Sequence, residues 1–486
     1  DEVREDIQGG AIVVVDVKTG EPLAIASYPT FDLSSIIEDY SDLLEAENDP
    51  LFNRALNGAY EPGSTFKALV LAAALEEGVV SESDTFYCPG YYMVEGWPKP
   101  ISCSKKAPGH GTQTLAEAVQ NSCNPAFMQI GQRLGIEKFY EYFEAFGLKE
   151  PTNIDLNGEE DGNIWEKIDM TGVDLAVGSF GQRFTVTPIQ MITAFAATIN
   201  GGKLLQPYIV QSVTDQDGNV VSKHDSTPIR QVVSEETSAL VRDIMEYEVT
   251  SGTGKNGQVA GYRIGGKTGT STKTTKEISG EKEYIVSFIG FAPADDPQIA
   301  ILVLLDDPSS ESGIYISGGQ MAAPVVGKMM ADILPYLGVE PEYSDSELAA
   351  ADRTVPEVSG MSLTEARSAL TEAGLNCRVI GEGDTVTDQL PRAGAVIASG
   401  SEVLLYAGQS PSPAEETMPD LRGLSYEAAK QALGSLGLYV TAGNGVTDAQ
   451  IQLVSGQSIA PGQSVEHGTV IEVTLYENEA SMLGIY

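Results

Sequence analysis

A serine hydroxyl becomes a useful nucleophile only beside a group that takes its proton. The chain offers such a pair at Ser64-Thr65-Phe66-Lys67, an SxxK spacing. On a helix, positions i and i+3 share one face, so the Lys67 amine can reach the Ser64 hydroxyl. A lysine acts as base when it is neutral, a state that burial and neighbouring cations favour. The N-terminus of the helix also favours an oxyanion nearby. The spacing alone decides little. Ser102…Lys105 and Ser279…Lys282 repeat it, and for one isolated match an exposed coincidence is the better reading.

Ser122-Cys123-Asn124 is an SxN motif. Its serine can relay a proton between the lysine and a leaving amine, and its asparagine can bond a substrate amide. The bland reading is a loop between helices with Asn124 as a cap. Lys267-Thr268-Gly269-Thr270 ends a strand preceded by Gly265-Gly266. There the lysine can pair with a carboxylate, the hydroxyls can add hydrogen bonds, and Gly269 lets an edge strand approach an extended peptide. A backbone N–H of this strand can supply half of an oxyanion hole. Lys18-Thr19-Gly20 is a second KTG, but it sits in a turn and precedes the nucleophile. Order and local context select Ser64, then Ser122 and Asn124, then Lys267, which is a strong combined signal for serine acyl transfer.

The elements that must position these residues can be read from periodicity. Residues 10–27, GAIVVVDVKTGEPLAIAS, form a β-hairpin about a turn at 18–21. A helix rich in Ala and Leu follows Ser64 and stops at Gly78. Residues 114–121, 125–134 and 187–198 read as helices, and 262–270, 285–292 and 298–305 as strands. The expected fold class is therefore α+β, an antiparallel sheet with helices packed on it. Two related segments follow an acidic stretch. They begin VPEVSGMSLTEARSALTEAGL at Val355 and MPDLRGLSYEAAKQALGSLGL at Met418, and each is a helix followed by strands. The expected divisions are a catalytic domain at 1–338, a linker at 339–353, repeats at 354–408 and 417–477, a linker at 409–416, and a tail at 478–486.

Residues 8–335 resemble the transpeptidase domain of class B penicillin-binding proteins, a serine β-lactamase-like fold. The resemblance rests on YEPGSTFK, NSCNPAFMQIG, TPIQMITAFAATINGG, GGKTGTS and FIGFAPADDPQIAILVLLDDP. The two repeats resemble PASTA modules. The resemblance implies a D,D-transpeptidase in which Ser64 attacks the penultimate D-Ala carbonyl of a peptidoglycan stem peptide and Lys67 is the base. Ser122 and Asn124 would handle proton transfer and substrate binding. Lys267, Thr268, Gly269 and Thr270 would form the carboxylate side, with the Ser64 and Thr270 amides as oxyanion hole. It further implies acylation by β-lactam antibiotics, a glycosyltransferase partner in the cell-wall machinery, and an extracytoplasmic location on the bacterial membrane. The family's N-terminal anchor and dimerisation region are missing from this sequence, so membrane attachment is expected only through an anchor outside it. No glycosyltransferase segment is seen, which implies a monofunctional enzyme serving division or sporulation.

Acyl transfer requires no cofactor, but one stretch suggests a structural zinc. Cys88, Cys103 and His110 lie in CPGYYMVEGWPKPISCSKKAPGH, with Asp84 four residues before the first. Two thiolates, an imidazole and a carboxylate make a tetrahedral set that zinc accepts. A Cys88–Cys103 disulfide and three unrelated residues are the competing readings. Zinc is placed first because one of only three histidines stands beside Cys103, and because the sporulation-type clostridial enzymes that the chain resembles bind zinc. Cys123 is expected to be a packed cleft residue, and Cys377 a small buried hydrophobe.

The formal charge of −40 argues against nucleic acid. A serine β-lactamase shares the motif triplet but needs a water-activating carboxylate. Glu150-Pro151-Thr152-Asn153 resembles such a loop superficially and is read as a connector. A D,D-carboxypeptidase differs only in its acceptor. A non-catalytic β-lactam sensor or wall-binding scaffold is the rival of another class.

Overall fold

The computed structural model describes residues 7–46, 49–273, 283–309, 314–342, 353–397, 402–408, 415–434, 436–442 and 452–477. Ser279 and Lys282 of the third SxxK spacing lie outside these residues, as do residues 343–352, 409–414 and 478–486 of the expected linkers and tail. The chain divides into two compact units, Asp1–Glu342 and Tyr343–Tyr486.

In the first unit, β1 (Ile7–Asp16) and β2 (Pro22–Tyr28) form the expected hairpin. Gly20, at φ +81, closes its turn, and its N–H donates to the Asp16 carbonyl at 2.9 Å. β3 (Gly265–Thr272), β4 (Tyr284–Ala292) and β5 (Ile299–Pro308) complete an antiparallel sheet of order β3-β4-β5-β1-β2. The KTGT segment therefore occupies an edge strand, whose outer N–H and C=O groups can pair with an extended ligand.

Alternation along β1 explains why both sheet faces are covered. Ala11, Val13 and Val15 join the larger core on one face. Val14 joins a second core with Ile301, Val303 and Phe288 on the other. α1 (Lys67–Glu76) is central to the larger core, and its residues 67–74 are all buried. A helix apolar all round has no solvent face to offer. Around it lie α2 (Leu115–Gln120), α3 (Asn124–Ala145), α4 (Pro188–Ile199) and α5 (Glu235–Ser251). Capping boxes at Thr114/Glu117 and Thr187/Gln190 start α2 and α4. Gly135, at φ 78, interrupts α3. α6 (Ala323–Tyr336) covers the second face.

The second unit contains two repeats of one topology. Helix Leu363–Glu372 precedes strands Asn376–Gly381, Val386–Leu390 and Glu402–Ala407, and the last pairs parallel to the first and antiparallel to the second. Helix Tyr426–Gly434 and strands Tyr439–Ala442, Gln452–Gln457 and Val470–Glu477 repeat this pairing. The matched Gly360 and Gly423 stand at φ +85 and +80 in the turn before each helix, a conformation glycine adopts without steric cost. Gln389 and Gln457 are a further repeated feature that sequence reading missed. Their side-chain oxygens accept from Val358 and Leu421 N–H at 2.7 and 2.8 Å. Their amides donate to the Pro356 and Pro419 carbonyls at 2.9 and 3.0 Å. Strand Glu415–Thr417, which begins inside the expected linker, pairs with Ser464–Glu466 of the second repeat. Cys377 is half-buried against the first repeat's core, less enclosed than expected.

Candidate active site

Ser64 lies on a 3₁₀ turn, Gly63–Phe66, that runs into α1. With three residues per turn, positions i and i+3 eclipse, so Ser64 and Lys67 share one edge more closely than an α-helix would place them. Gly63 takes φ +55, and a Cβ there would stand 3.2 Å from the Thr270 carbonyl oxygen. The nucleophile turn and β3 are thus in backbone contact. Below the turn, Phe66 packs on Phe184 with ring centroids 4.8 Å apart, and Phe184 on Phe143 at 5.2 Å.

Lys67 is fully buried. Its Nζ donates to the Ser122 carbonyl and to Asn124 Oδ1, each at 2.7 Å, and lies 3.1 Å from Ser122 Oγ. Burial holds the amine well below its ordinary pKa, and the positive charge of Lys267 adds to the effect against the opposing pull of Cys123, Cys103 and Glu248. A neutral amine has two N–H groups, which the two short bonds use. Its lone pair is left for a hydroxyl. Asn124 does not cap α3: its oxygen serves Lys67, and Cys123 holds the cap position without a side-chain cap bond. Ser122 stands at φ 47, a left-handed conformation that costs a non-glycine residue about 1–3 kcal/mol and concentrates at functional sites. Bonds from Ser122 N–H to the Val119 carbonyl and Cys123 N–H to the Ala118 carbonyl, both 2.9 Å, hold it there.

The KTGT segment is built differently from expectation. Lys267 is fully buried and ion-paired with Glu248 Oε1 at 2.9 Å, and Glu248 is buried too. The Thr253 hydroxyl donates to the same oxygen at 2.6 Å and lies 2.7 Å from Thr268 Oγ1. Lys267 is therefore behind the surface, and Thr270 is the exposed member of the motif. Glu248 and Thr253 were missed. The signal existed for Glu248: it falls on the apolar stripe of α5 with Val241, Ile244 and Met245, where an unpaired carboxylate would be costly. Gly269 brings the strand close, since a Cβ there would lie 2.4 Å from Ser287 Oγ and 3.1 Å from the Pro62 carbonyl. The decoys stay apart. Lys18 is ion-paired with Asp296 at 2.8 Å on the surface, and Ser102 and Lys105 are exposed.

All four cysteines carry free thiols, so the Cys88–Cys103 disulfide is not formed. Asp84 is not among the clustered donors. Its carboxylate accepts from Arg133 Nη1 at 2.7 Å and from Ser81 N–H and Oγ at 2.8 and 2.9 Å. Arg133 first, then Ser81, holds its pKa down to about 2. The fourth donor is Cys123, which had been assigned only a packing role. Ligand atoms of Cys88, Cys103, His110 and Cys123 lie within 4.8 Å of one another and can coordinate a metal. Pairing of strands Thr85–Cys88 and Gly111–Thr114 sets Cys88 opposite Gly111, beside His110. Cys103 is held well below its ordinary pKa, chiefly because the Cys123 thiol donates to it. A thiolate is the form that binds metal.

A serine turn laid against an edge strand, with a buried lysine fixed by an SxN loop, is the arrangement of an acyl-transfer serine protein. The chain belongs to the penicillin-binding protein transpeptidase family, whose domain matches residues 10–331, and it continues with PASTA domains at 353–409 and 416–477. It is 41% identical over 415 residues to Stage V sporulation protein D of Bacillus subtilis, covering 83% of this chain and 62% of that protein. It is 30% identical over 336 residues to peptidoglycan D,D-transpeptidase FtsI of Escherichia coli, covering 69% of this chain and 53% of that one. The chain thus spans less than two thirds of these curated relatives. Penicillin-binding protein 3 of Mycobacterium tuberculosis, solved in complex with ampicillin, matches with a TM-score of 0.63 at 28% identity over 71% of this chain and 75% of that chain. The apo transpeptidase domain of Burkholderia pseudomallei penicillin-binding protein 3 matches with a TM-score of 0.58 at 27% identity, over 70% and 91%.

Proposed function

We propose that the chain is a serine D,D-transpeptidase that crosslinks peptidoglycan stem peptides. The observation that carries this reading is the environment of Lys67 Nζ: buried, bonded to Ser122 and Asn124, and on one edge with Ser64. Neutral Lys67 takes the Ser64 proton as Oγ attacks the penultimate D-Ala carbonyl. The Ser64 and Thr270 amides receive the oxyanion. The proton passes from Lys67 through Ser122 Oγ to the leaving nitrogen, the amide bond breaks, and terminal D-Ala departs. An amine of a second stem then attacks the ester, the proton path runs in reverse, and Ser64 is regenerated. Asn124 and the edge of β3 hold the donor backbone. Thr268 and Thr270 bind its carboxylate, with Lys267 supplying field from behind. β-Lactams acylate the same serine. Against a β-lactamase reading stands Glu150, which is exposed and whose carbonyl accepts from Gln190 Nε2 at 2.8 Å.

The metal is zinc in this reading. Three thiolates and one imidazole suit its tetrahedral preference, in which sulfurs at about 2.3 Å from the ion lie roughly 3.8 Å apart. Bound there, it would tie the segment carrying Cys88, Cys103 and His110 to Cys123 at the start of α3, one residue from Ser122 and Asn124. Its role is structural. The similarity to a sporulation protein favours a sporulation role over division, and an extracytoplasmic location and a glycosyltransferase partner belong to the same reading. Among the described residues, no helix is long and apolar enough to cross a membrane. Fluorescent penicillin should label wild type and not Ser64→Ala, and a D-Ala-D-Ala stem peptide should release D-Ala. Labelling without D-Ala release would favour a sensor, and no labelling would overturn the reading.

A further inference from the structure

A cavity of about 400 Å³ lies at the end of β3 beyond Thr270, with Glu61 of the nucleophile segment and Ser271 of β3 in its walls. Its walls include Arg54, Tyr60, Glu61, Glu160, Lys273 and Asp306. It is built onto the nucleophile segment, because the Ser271 hydroxyl donates to the Glu61 carbonyl at 2.9 Å. Glu61 stands three residues before Ser64, and Ser271 directly follows Thr270. Glu160 is exposed and marks the mouth.

The lining charges are not balanced. Glu61, Glu160 and Asp306 oppose Arg54 and Lys273. Lys273 is already engaged with Asp306 at 2.5 Å. Glu61 and Glu160 are the acids of the lining that Lys273 does not engage, with Arg54 on the same wall, and Glu61 Oε1 accepts from the Arg183 N–H at 2.9 Å, which leaves Oε2 for a further donor. Burial raises the Glu61 pKa, and the N–H and charge of Arg183 only partly offset this. An incoming ammonium would be matched to that carboxylate.

We propose that this cavity binds the side chain of the amine-bearing residue of the donor stem peptide, with its ammonium at Glu61 and Glu160. The proposal rests on the transpeptidase reading above. Crosslinking consumes an amine on the acceptor stem, and donor and acceptor are strands of one polymer, so the donor carries the same amine. A peptide paired with β3 advances about 3.3 Å per residue. The residue preceding the acylated D-Ala is thus one step from Thr270, and its long side chain reaches the space beside residues 271–273. Held there, the donor's own amine is kept from competing with the acceptor's for the acyl-enzyme.

The test is the acylation rate of the full chain with two penicillins, one whose side chain ends in lysine and one in Nε-acetyl-lysine, with benzylpenicillin as reference. Wild type should react about tenfold or more faster with the lysyl compound, the increment of one charged hydrogen bond. In Glu160→Gln and in Glu61→Gln the ratio of the two rates should fall towards one. The ratio is internal to each variant and is insensitive to general damage. Equal rates in wild type, or a ratio preserved in both variants, would overturn the cavity assignment. Failure of benzylpenicillin itself to acylate Ser64 would instead overturn the transpeptidase reading beneath it.

Discussion

Lys267 and Glu248 face each other across 2.9 Å, and neither has any exposed surface. The lysine of the KTGT motif is thus half of a buried ion pair, and the exposed surface of the motif is left to Thr270. Breaking a buried pair by removing one partner costs about 3–5 kcal/mol, because the remaining charge is stranded. Glu248→Ala should lower unfolding stability by about that amount. The Glu248→Ala/Lys267→Ala double variant should recover part of the stability and none of the acylation rate. Denaturant melts and penicillin acylation rates check both arms. A single variant as stable as wild type would show the pair to be dispensable.

The buried amine of Lys67 sets the pH dependence. Its pKa lies well below the ordinary lysine value, and only the neutral form accepts the Ser64 proton. Acylation should therefore rise with pH through this lowered pKa and fall away below it, well before ordinary lysines titrate. Lys67→Arg should be inactive at every pH, since a guanidinium does not deprotonate in proteins. A rate profile of benzylpenicillin acylation against pH gives the answer. A flat profile from acid to alkaline pH would remove Lys67 from the role of base.

Gly269 is where β3 passes the nucleophile turn. A Cβ at this position would lie 2.4 Å from Ser287 Oγ and 3.1 Å from the Pro62 carbonyl. Gly269→Ala should push the strand outward while the core remains folded. A displacement near 1 Å costs about a hundredfold in rate. Stopped-flow acylation together with a thermal melt separates this from general unfolding, since the rate should fall far more than the melting temperature.

Metal content distinguishes the clustered donors from the expected set. Cys123→Ser should lose the metal, and Asp84→Asn should keep it, because the Asp84 carboxylate serves Arg133 and Ser81. Plasma mass spectrometry should give about one zinc per chain for wild type and Asp84→Asn. Loss from Asp84→Asn, with retention in Cys123→Ser, would restore the carboxylate as a ligand.

Much of this site was legible because its motifs are local. Ser64 and Lys67 share a turn, Ser122 and Asn124 share another, and KTGT is one strand. The apolar runs on either side of the turn at residues 18–21 gave β1 and β2, and the matched Gly360 and Gly423 helped give the repeats. What escaped was set by tertiary contact. Glu248 stands out on the apolar stripe of α5, but its partner Lys267 is set only when α5 packs on β3. Cys123 lies 20 residues after Cys103, and only the fold joins them. Asp84 had the right spacing from Cys88, but a local turn and Arg133 claimed its oxygens first.

The central claim is that Ser64 is the acylated nucleophile. Intact-mass spectrometry after incubation with benzylpenicillin, followed by peptide mapping, tests it most directly. One penicilloyl adduct per chain is expected, mapped to the peptide that contains residues 60–67 and absent from Ser64→Ala. An adduct on any other peptide, or its persistence in Ser64→Ala, would contradict the account.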